Sequence, residues 1–410
     1  MLNNLTVAGF KSIKKQSIDL GRVNVFIGPN GAGKSNILEA IGFLSAAISG
    51  GITYSLLGVK GVRSSAPSVY RSALKGSKRP KYFDLSAEFD GWRYHCNIFS
   101  NDDSLSGSWN FHSESFARSN EKGAWANPFA GRSGNGVRID GVSYSKSILE
   151  SNQSIVRALE VLGALHDNEE KDLHNLAQYA IYSPFTSVLR GLAPDPSFAA
   201  PLGLYGGNLP SAVKDVFNQK NFANLTHFFN LFPWVRTLGL SKGDPKIMDR
   251  QMVPSSSVLT FTDNFMIKDF NNLYSSDVSE GALYCAFILA LMLHNESPNI
   301  LALDNVDSTL NPGLVRQLVK TISLLVKDSD KQVLMTTHNP TALDALDLFD
   351  NEHKLYVVDR NGETGETEVN LLRPPESMTQ EEWDKKTGGA KLSELWLNGF
   401  LGGMPLIENF

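Results

Sequence analysis

The chain has few cysteines, little net charge and no long apolar run. Its 410 residues include two cysteines, Cys96 and Cys285, which stand far apart without metal-ligand spacing, so we expect two reduced core thiols. A net charge of −5 argues against a uniformly basic surface for nucleic acid, although it does not exclude a local basic groove. The longest mostly apolar run, Ala282 to Leu293, is too short to cross a bilayer and predicts a buried helix. The N-terminus lacks a signal-peptide layout. We therefore expect a soluble, cytoplasmic protein that does not engage a membrane.

What the sequence does contain is a phosphate-binding loop in its proper context. The run Val23–Ile27 predicts a buried strand, Gly28–Ser35 follows as G-x-x-x-x-G-K-S, and an apolar helical pattern begins at Ile37. In such a loop, backbone N–H groups wrap the phosphates of a nucleoside triphosphate, and the helix N-terminus adds positive charge. Lys34 is expected to reach the β- and γ-phosphates, and the Ser35 hydroxyl to ligate Mg²⁺. The competing interpretation is a glycine-rich turn that binds nothing. The candidate nucleotide-binding residues are Asn30, Gly31, Ala32, Gly33, Lys34, Ser35 and Asn36.

Three patterns in the second half are weak when each is taken alone. Ser279–Gly281 opens the apolar helix and offers a hydroxyl, N–H groups and a helix dipole to an anion, but a plain helix cap explains it better. Ile300–Asp304 is an apolar strand that ends in a carboxylate, which is the form of a Walker B strand. Gln332–His338 is a further apolar strand, and its terminal histidine is of a kind that is usually structural.

The order of these patterns is more informative than any of them singly. P-loop, Ser-Glu-Gly helix, Leu-Ala-Leu-Asp strand, Asp-Ser-Thr-Leu-Asn-Pro turn and Thr-Thr-His strand end follow one another. In this the sequence resembles the ABC-type ATPases of the RecF, SMC and OLD group, and in particular the compact AAA-family ATPases of bacterial anti-phage defence systems such as Septu and PARIS. The resemblance covers the two ends of the chain well and the middle loosely. It implies an α/β fold, an ABC-ATPase (P-loop NTPase) head with a mixed sheet and an α+β insertion between Walker A and the signature motif.

The chain is expected to divide into three parts. These are an ABC-type ATPase core over 1–50 and 255–410, a β-rich lobe with long loops over 51–145, and a helical insertion over 146–254. In the lobe, Tyr82–Phe89 and Trp92–Ile98 flank Asp90-Gly91, which predicts a hairpin. The basic residues between Lys60 and Lys81 are interpreted as a solvated loop, or alternatively as a contact with a phosphate backbone.

Other elements are predicted from residue spacing. Apolar residues at helical spacing predict helices over 147–178 and 209–231. Two short runs, Val258–Thr262 and Phe265–Ile267, predict a pair of strands.

The resemblance implies roles for individual residues. Ser279 and Gly281 would form the signature loop, which is presented to the γ-phosphate bound by a second protomer. Asp304 would assist Mg²⁺, and His338 would be the switch histidine that senses the γ-phosphate. The run Asp307–Asn311 would be the D-loop at the dimer interface. No Q-loop glutamine can be placed.

Two further positions bear on the chemistry. Lys11, within Phe10-Lys11-Ser12, falls where related ATPases use a basic residue near the nucleotide. Asn305 stands where these ATPases usually have the glutamate that polarises the attacking water. An amide cannot take the proton of that water, although it can orient the water. Since a general base is worth about 10²–10⁴ in rate, we expect slow hydrolysis and a long-lived ATP-bound dimer. Asp307 either supplies a substitute carboxylate or only structures the D-loop.

Two functions remain open, and both make the protein an ATPase with ATP and Mg²⁺ as cofactors. In the first, a homodimer or larger homo-oligomer acts as a sensor or scaffold in anti-phage defence. It controls an effector encoded nearby, a nuclease or toxin, in response to DNA or a phage-derived trigger. In the second, the protein is a RecF-like DNA repair or chromosome-maintenance ATPase that binds DNA in its ATP state. The RecF-type motifs disfavour a transporter cassette.

Overall fold

The structure is a computed structural model. It describes residues 1–104, 107–120, 122–134, 136–145, 148–197, 199–219, 225–244, 249–253 and 257–401. Ser147 and residues 220–224, which belong to the helices expected over 147–178 and 209–231, lie outside the described residues.

The described residues form seventeen strands, numbered in chain order. They are β1 (Asn4–Phe10), β2 (Ile13–Asp19), β3 (Val23–Ile27), β4 (Phe83–Glu88), β5 (Trp92–Ser100), β6 (Trp109–Arg118), β7 (Ala130–Ser133), β8 (Gly136–Ile139), β9 (Val142–Tyr144), β10 (Ala180–Tyr182), β11 (Val235–Ser241), β12 (Val258–Asp263), β13 (Asn272–Tyr274), β14 (Ile300–Leu303), β15 (Gln332–Thr337), β16 (His353–Arg360) and β17 (Thr367–Leu372). Three sheets result, in the orders β2-β1-β4-β5-β6-β7-β8-β9, β10-β14-β15-β3-β16-β17 and β11-β12-β13.

The described helices connect and cover these sheets. They are α1 (Lys34–Ile48), α2 (Tyr54–Val59), α3 (Pro67–Tyr70), α4 (Ile155–Val161), α5 (Asp167–Gln178), α6 (Thr186–Leu189), α7 (Leu209–Asn218), α8 (Thr226–Leu231), α9 (Glu280–Leu293), α10 (Pro312–Lys327), a 3-10 helix (Pro340–Ala345), α11 (Gln380–Thr387) and α12 (Leu392–Leu397). The whole of α9 from Ala282 onward is buried, so the expected buried helix is confirmed. Among the described residues, none of these helices combines the length and apolarity needed to span a membrane.

The six-stranded sheet carries the ATPase motifs and is mixed, as predicted. Strands β10, β14, β15, β3 and β16 run parallel, and β17 pairs antiparallel with β16 at one edge. Every residue of β3, β14 and β15 is buried, as expected for parallel strands covered on both faces. Because parallel strands end at the same edge, the residues that follow β3, β14 and β15 are brought together there. The predicted α/β fold is therefore confirmed.

The eight-stranded antiparallel sheet holds the predicted hairpin. β4 and β5 pair around Asp90-Gly91, in a register that runs from Phe83 opposite Ile98 to Glu88 opposite Arg93. Strand β1 of the N-terminal segment pairs with β4, and β10 of the expected helical insertion pairs with β14. Two sheets thus cross the boundaries of the three-part division, which itself stays a prediction.

Helix α1 lies between the two large sheets and explains how they form one core. It is buried along nearly its whole length and shares a cluster with both sheets. On the side of the antiparallel sheet, the Phe43 ring meets those of Phe10, Tyr70, Phe83 and Trp109, with centroids 4.9–5.5 Å apart. Such edge-to-face pairs add to the apolar area that each ring buries. The helix that begins at the P-loop is therefore packed tightly against the eight-stranded antiparallel sheet.

Two local expectations differ from the structure. The run Phe265–Ile267 is no strand: the Asp263 carboxylate accepts hydrogen bonds from the backbone N–H groups of Phe265 and Met266, which turns the chain. β12 pairs instead with β11 and β13. The helix expected over 147–178 is divided into α4 and α5, with Leu162 exposed between them.

The basic stretch between Lys60 and Lys81 is only partly a solvated loop. It contains α3, and Lys60 is buried with its ammonium on the carbonyl of Ala177. Burial lowers the pKa of Lys60 to about 8. Nη2 of Arg71 donates to both oxygens of the Asp103 carboxylate, at 2.5 and 2.7 Å. The sequence could not reveal these two contacts, because the partners, Ala177 and Asp103, lie outside the basic stretch.

Candidate functional site

The P-loop joins β3 to α1. At two of its positions, neighbouring atoms lie so close to the backbone that only glycine fits. A Cβ on Gly28 would collide with the carbonyl of Val358 in the neighbouring strand β16. Gly33 has φ +109°, and a Cβ there would collide with the Thr367 hydroxyl. Since α1 begins at the next residue, the loop presents the free N–H groups of a helix N-terminus to the open edge of the sheet. Asn30 and Gly31 are exposed at that edge.

Lys34 folds back onto its own loop. Its Nζ donates to the carbonyls of Gly28 (2.8 Å) and Pro29 (3.0 Å), and lies 3.3 Å from Nδ1 of His338. Burial lowers the pKa of Lys34 to about 8, an effect that the carboxylates of Asp304 and Asp307 oppose. Burial, followed by the charge on Lys34, also lowers the pKa of His338, so the imidazole is neutral at physiological pH. The P-loop lysine and the predicted switch histidine are therefore neighbours.

The residues predicted to hold Mg²⁺ are in contact. Ser35 Oγ lies 3.0 Å from each carboxylate oxygen of Asp304. A hydroxyl and a carboxylate are the hard oxygen donors that Mg²⁺ prefers, and one or two protein ligands suffice because phosphates and water complete the octahedron. The pair fits Mg²⁺ bound together with a triphosphate. Within the part of the chain that the structure describes, no group of three or more His, Cys, Asp or Glu side chains is placed to hold a metal on its own.

Asp307 lies beside His338 rather than pointing away into a loop. Its carboxylate accepts the backbone N–H of His338, with N to Oδ2 at 3.2 Å. The predicted D-loop is thereby attached to the end of β15. The residues that follow it in the turn, Ser308 and Thr309, are exposed.

Thr336 was not predicted as a site residue, although it contacts both Asp304 and Asn305 of the predicted Walker B motif. Its hydroxyl donates to Asp304 Oδ1 (2.6 Å) and accepts the backbone N–H of Asn305 (2.8 Å). The hydroxyl of Tyr284, from α9, donates to the carbonyl of Asn305 at 3.0 Å. No signal in the sequence identifies either residue, because each contact joins strands or helices that are far apart along the chain.

A second unpredicted network supports the P-loop from behind. The Asn36 side chain donates to Ser12 Oγ (2.7 Å), which lies 2.6 Å from the Thr367 hydroxyl. Thr367 Oγ1 in turn donates to the Ala32 carbonyl at 2.8 Å. These hydroxyls connect the P-loop to the turn between β1 and β2 and to the edge strand β17.

The predicted signature residues lie outside this cluster. Ser279 caps α9 by position, is exposed, and its side chain makes no capping hydrogen bond. A Cβ on Gly281 would lie 3.2 Å from the side chain of Leu310, which leaves little room for a larger residue. The signature loop and the turn after Asp307 therefore lie close together.

Lys11 is held against helix α1 by a residue that lies outside the P-loop. Its ammonium pairs with the buried Glu39 carboxylate and lies 5.0 Å from the centroid of the Tyr70 ring. Arg63 contacts the same carboxylate, with Nε to Oε1 at 3.1 Å. Burial lowers the pKa of Lys11. A role for Lys11 beside the nucleotide stays a prediction.

Two family models match the segments that carry these motifs. Residues 1–88 match a family described as an AAA ATPase domain. Residues 225–344 match a family described as "AAA domain, putative AbiEii toxin, Type IV TA system". The first segment includes the P-loop, and the second includes Ser279, Asp304 and His338.

Individual proteins show weaker likeness. The DNA replication and repair protein RecF of Lactobacillus acidophilus is 51% identical over 45 residues, which is 11% of this chain and only 12% of that protein's length. The match to a solved SMC head bound to the C-winged helix domain of ScpA spans 92% of this chain and 99% of that structure's chain, at 17% identity and a TM-score of 0.49. The SMC head of Thermotoga maritima covers 91% and 99%, at 14% identity and a TM-score of 0.43. Through its two AAA-type segments and its motif order, the chain resembles an ABC-type ATPase of the RecF kind, as the sequence predicts.

Proposed function

We propose that this protein binds ATP with Mg²⁺, hydrolyses it slowly, and forms a dimer around the nucleotide that controls a partner effector in anti-phage defence. The observation that carries the proposal is the position of Asn305. It directly follows a carboxylate that is already paired with the P-loop serine. The site therefore has the parts for binding a triphosphate, but an amide where a base is expected.

Each residue has a defined task in this scheme. Lys34 exchanges its contacts with the Gly28 and Pro29 carbonyls for the β- and γ-phosphates, and the loop N–H groups hold the remaining oxygens. Ser35 and Asp304 would hold Mg²⁺, which neutralises charge on the phosphates when it is bound. His338, neutral and next to Lys34, would contact the γ-phosphate by a hydrogen bond.

Slow hydrolysis follows from the acid–base properties of the site. The Asn305 amide can orient a water but does not remove its proton. Asp307 also carries a carboxylate, and this group accepts the backbone N–H of His338. We therefore assign Asp307 to holding the turn and expect the ATP-bound state to persist.

Exposure of the predicted signature loop supports assembly into a dimer. Ser279 begins a long buried helix, its side chain makes no capping hydrogen bond, and the positive end of the helix dipole favours an anion there. Within its own chain, the loop lies next to the exposed turn of Ser308 and Thr309. A phosphate bound at the P-loop of a second copy would satisfy these groups.

The test is the replacement of Ser279 by arginine. We expect Ser279→Arg to abolish ATP-dependent dimerisation while ATP affinity of the monomer changes less than about threefold, because the residue lies outside the P-loop cluster. Light scattering coupled to gel filtration, with and without ATP and Mg²⁺, measures the mass. The matched control is Ser143→Arg, an exposed serine in the edge strand β9. A wild-type protein that stays monomeric with saturating ATP would contradict the dimer.

The defence role rests on the AbiEii description and on the motif resemblance. We propose a nuclease or toxin, encoded beside this protein, as the effector that it holds. Co-expression with the products of adjacent genes should give a complex that ATP stabilises or releases. If no neighbouring product associates in either nucleotide state, the scaffold role is wrong.

A RecF-like role in DNA repair is the alternative. It is supported by the RecF match and by three exposed lysines, Lys75, Lys78 and Lys81, in one surface segment. DNA binding of that kind depends steeply on salt, since each neutralised phosphate releases counterions. Duplex DNA binding measured across a salt series, with and without ATP, separates the two functions. Tight, ATP-dependent binding that weakens when these lysines are replaced by glutamine favours repair.

A further inference from the structure

Two buried hydroxyl groups hold the Walker B pair Asp304–Asn305 from opposite sides. Thr336, with no exposed surface, contacts Asp304 Oδ1 at 2.6 Å and the backbone nitrogen of Asn305 at 2.8 Å. Tyr284, 2% exposed, donates to the Asn305 carbonyl at 3.0 Å. The N–H of Asn305 is therefore satisfied by a side chain rather than by the sheet, and its carbonyl accepts from the Tyr284 hydroxyl and from the backbone N–H of Ser308, at 3.0 Å each.

This arrangement fixes the backbone from which the Asn305 side chain extends. Asn305 has φ +57°, in the left-handed region that only a few residue types adopt at low cost. The sheet register of β14 ends one residue earlier, with the N–H of Asp304 on the carbonyl of Tyr182. Beyond that point the two hydroxyls, and the N–H of Val306 on the Thr336 carbonyl, fix the turn.

We propose that Thr336 and Tyr284 are positioning residues for the ATP site, with separable tasks. Thr336 orients the metal-binding carboxylate and the start of the Asn305 turn, whereas Tyr284 orients only Asn305. The inference rests on the proposed ATPase function. The Thr336 donor on Oδ1, together with Ser35 Oγ at 3.0 Å from both oxygens, fixes the rotation of the Asp304 side chain and so the direction in which its oxygens would face a metal ion.

Tyr284 also links this turn to the signature loop. It stands on α9, whose N-terminus is capped by Ser279. Because close-packed interiors transmit strain, contact of Ser279 with a second protomer's nucleotide is transmitted along α9 to the Asn305 carbonyl through the Tyr284 hydroxyl. Tyr284 thus makes the water-orienting amide sensitive to dimer formation.

Replacement of Thr336 by valine tests the first task. Thr336→Val is isosteric and removes only the hydroxyl, so we expect the Mg²⁺ concentration needed for binding a fluorescent ATP analogue to rise about 10–100-fold. Binding of the analogue in EDTA should be unchanged. Thr336→Ser restores the donor and should restore the Mg²⁺ dependence. The control is Thr337→Val, since the neighbouring buried hydroxyl bonds the backbone of Asn339, with the N–H at 3.0 Å and the carbonyl at 3.4 Å, and contacts neither Asp304 nor Asn305.

Replacement of Tyr284 by phenylalanine tests the second task. Tyr284→Phe loses one neutral hydrogen bond, and we expect the turnover of ATP in the dimer to change by up to about tenfold, in line with the worth of such a bond. The Mg²⁺ concentration for nucleotide binding should stay within twofold of wild type, because Asp304 is untouched.

The pattern across the two variants decides the inference. If wild type binds no ATP, the proposed function is wrong. If wild type binds Mg-ATP but Thr336→Val keeps the same Mg²⁺ dependence, or Tyr284→Phe alters that dependence as strongly as turnover, the assignment of tasks is overturned. Thermal melting verifies that each variant is folded, and Thr336→Ala takes the place of a valine variant that is not.

Discussion

Replacing Asn305 with glutamate is expected to raise the turnover of ATP by about 10²–10⁴-fold, which is the usual worth of a positioned general base. The residue follows the carboxylate that contacts the P-loop serine, so a carboxylate here would lie next to the attacking water. Steady-state release of phosphate by the purified protein measures the change. ATP affinity should remain close to that of wild type, since the backbone hydrogen bonds of Asn305 join it to Thr336 and Tyr284 and not to the P-loop.

The left-handed backbone at this position makes the glutamate variant slightly less stable than the wild type. At φ +57°, asparagine is one of the residues that tolerate the left-handed region, and a longer side chain loses about 1 kcal/mol there. Asn305→Gln has the length of glutamate without its charge and is the matched control. Asn305→Asp keeps the length of the native residue and should give a smaller increase than glutamate.

The result that would contradict this account is fast wild-type turnover. A rate already within roughly 1–10³ per second would mean that the amide does not limit hydrolysis. Asp307→Asn then identifies the base. If Asp307 only accepts the backbone N–H of His338, asparagine keeps that acceptor and the rate is unchanged, whereas a catalytic Asp307 would lose most of the activity.

The sequence predicts those parts of the site that are encoded locally. Val23–Ile27, the glycine loop and the start of α1 are contiguous, so strand propensity, glycine spacing and helical periodicity all agree on them. The strands ending at Asp304 and His338 are predicted for the same reason. Their approach to the P-loop follows from the rule that parallel strands end at one edge of the sheet.

The residues that the sequence could not reveal contact partners that are far away along the chain. Thr336 and Tyr284 are ordinary members of a buried strand and a buried helix, and only their tertiary neighbours give their hydroxyls a task. Membership in a sheet is non-local as well, since β1 precedes the P-loop yet pairs with β4. The exposed run at Phe265 was mistaken for a strand because β-propensity reflects burial that this run does not have.

Removal of the P-loop ammonium should have a comparably large effect on binding. Lys34→Ala deletes two charge-assisted hydrogen bonds to phosphate, each worth about 1.5–3 kcal/mol, so we expect ATP affinity to fall about 10²–10⁴-fold. Titration with a fluorescent ATP analogue in the presence of Mg²⁺ measures it. Affinity within a few-fold of wild type would show that the triphosphate does not bind at this loop.

The pH dependence of binding gives the same residue an independent signature. With a pKa of about 8 in the free protein, Lys34 is charged below that pH and loses its proton above it. Phosphate favours the charged form, so ATP affinity should be highest below pH 8 and fall by up to about tenfold per pH unit above it. Lys60 and Lys331 have pKa values of about 8 as well, but their ammonium groups lie on the backbone carbonyls of Ala177 and Ser297. Lys34→Ala should therefore bind weakly with a flat profile above pH 8, and a slope that survives this substitution would assign the titration to another group.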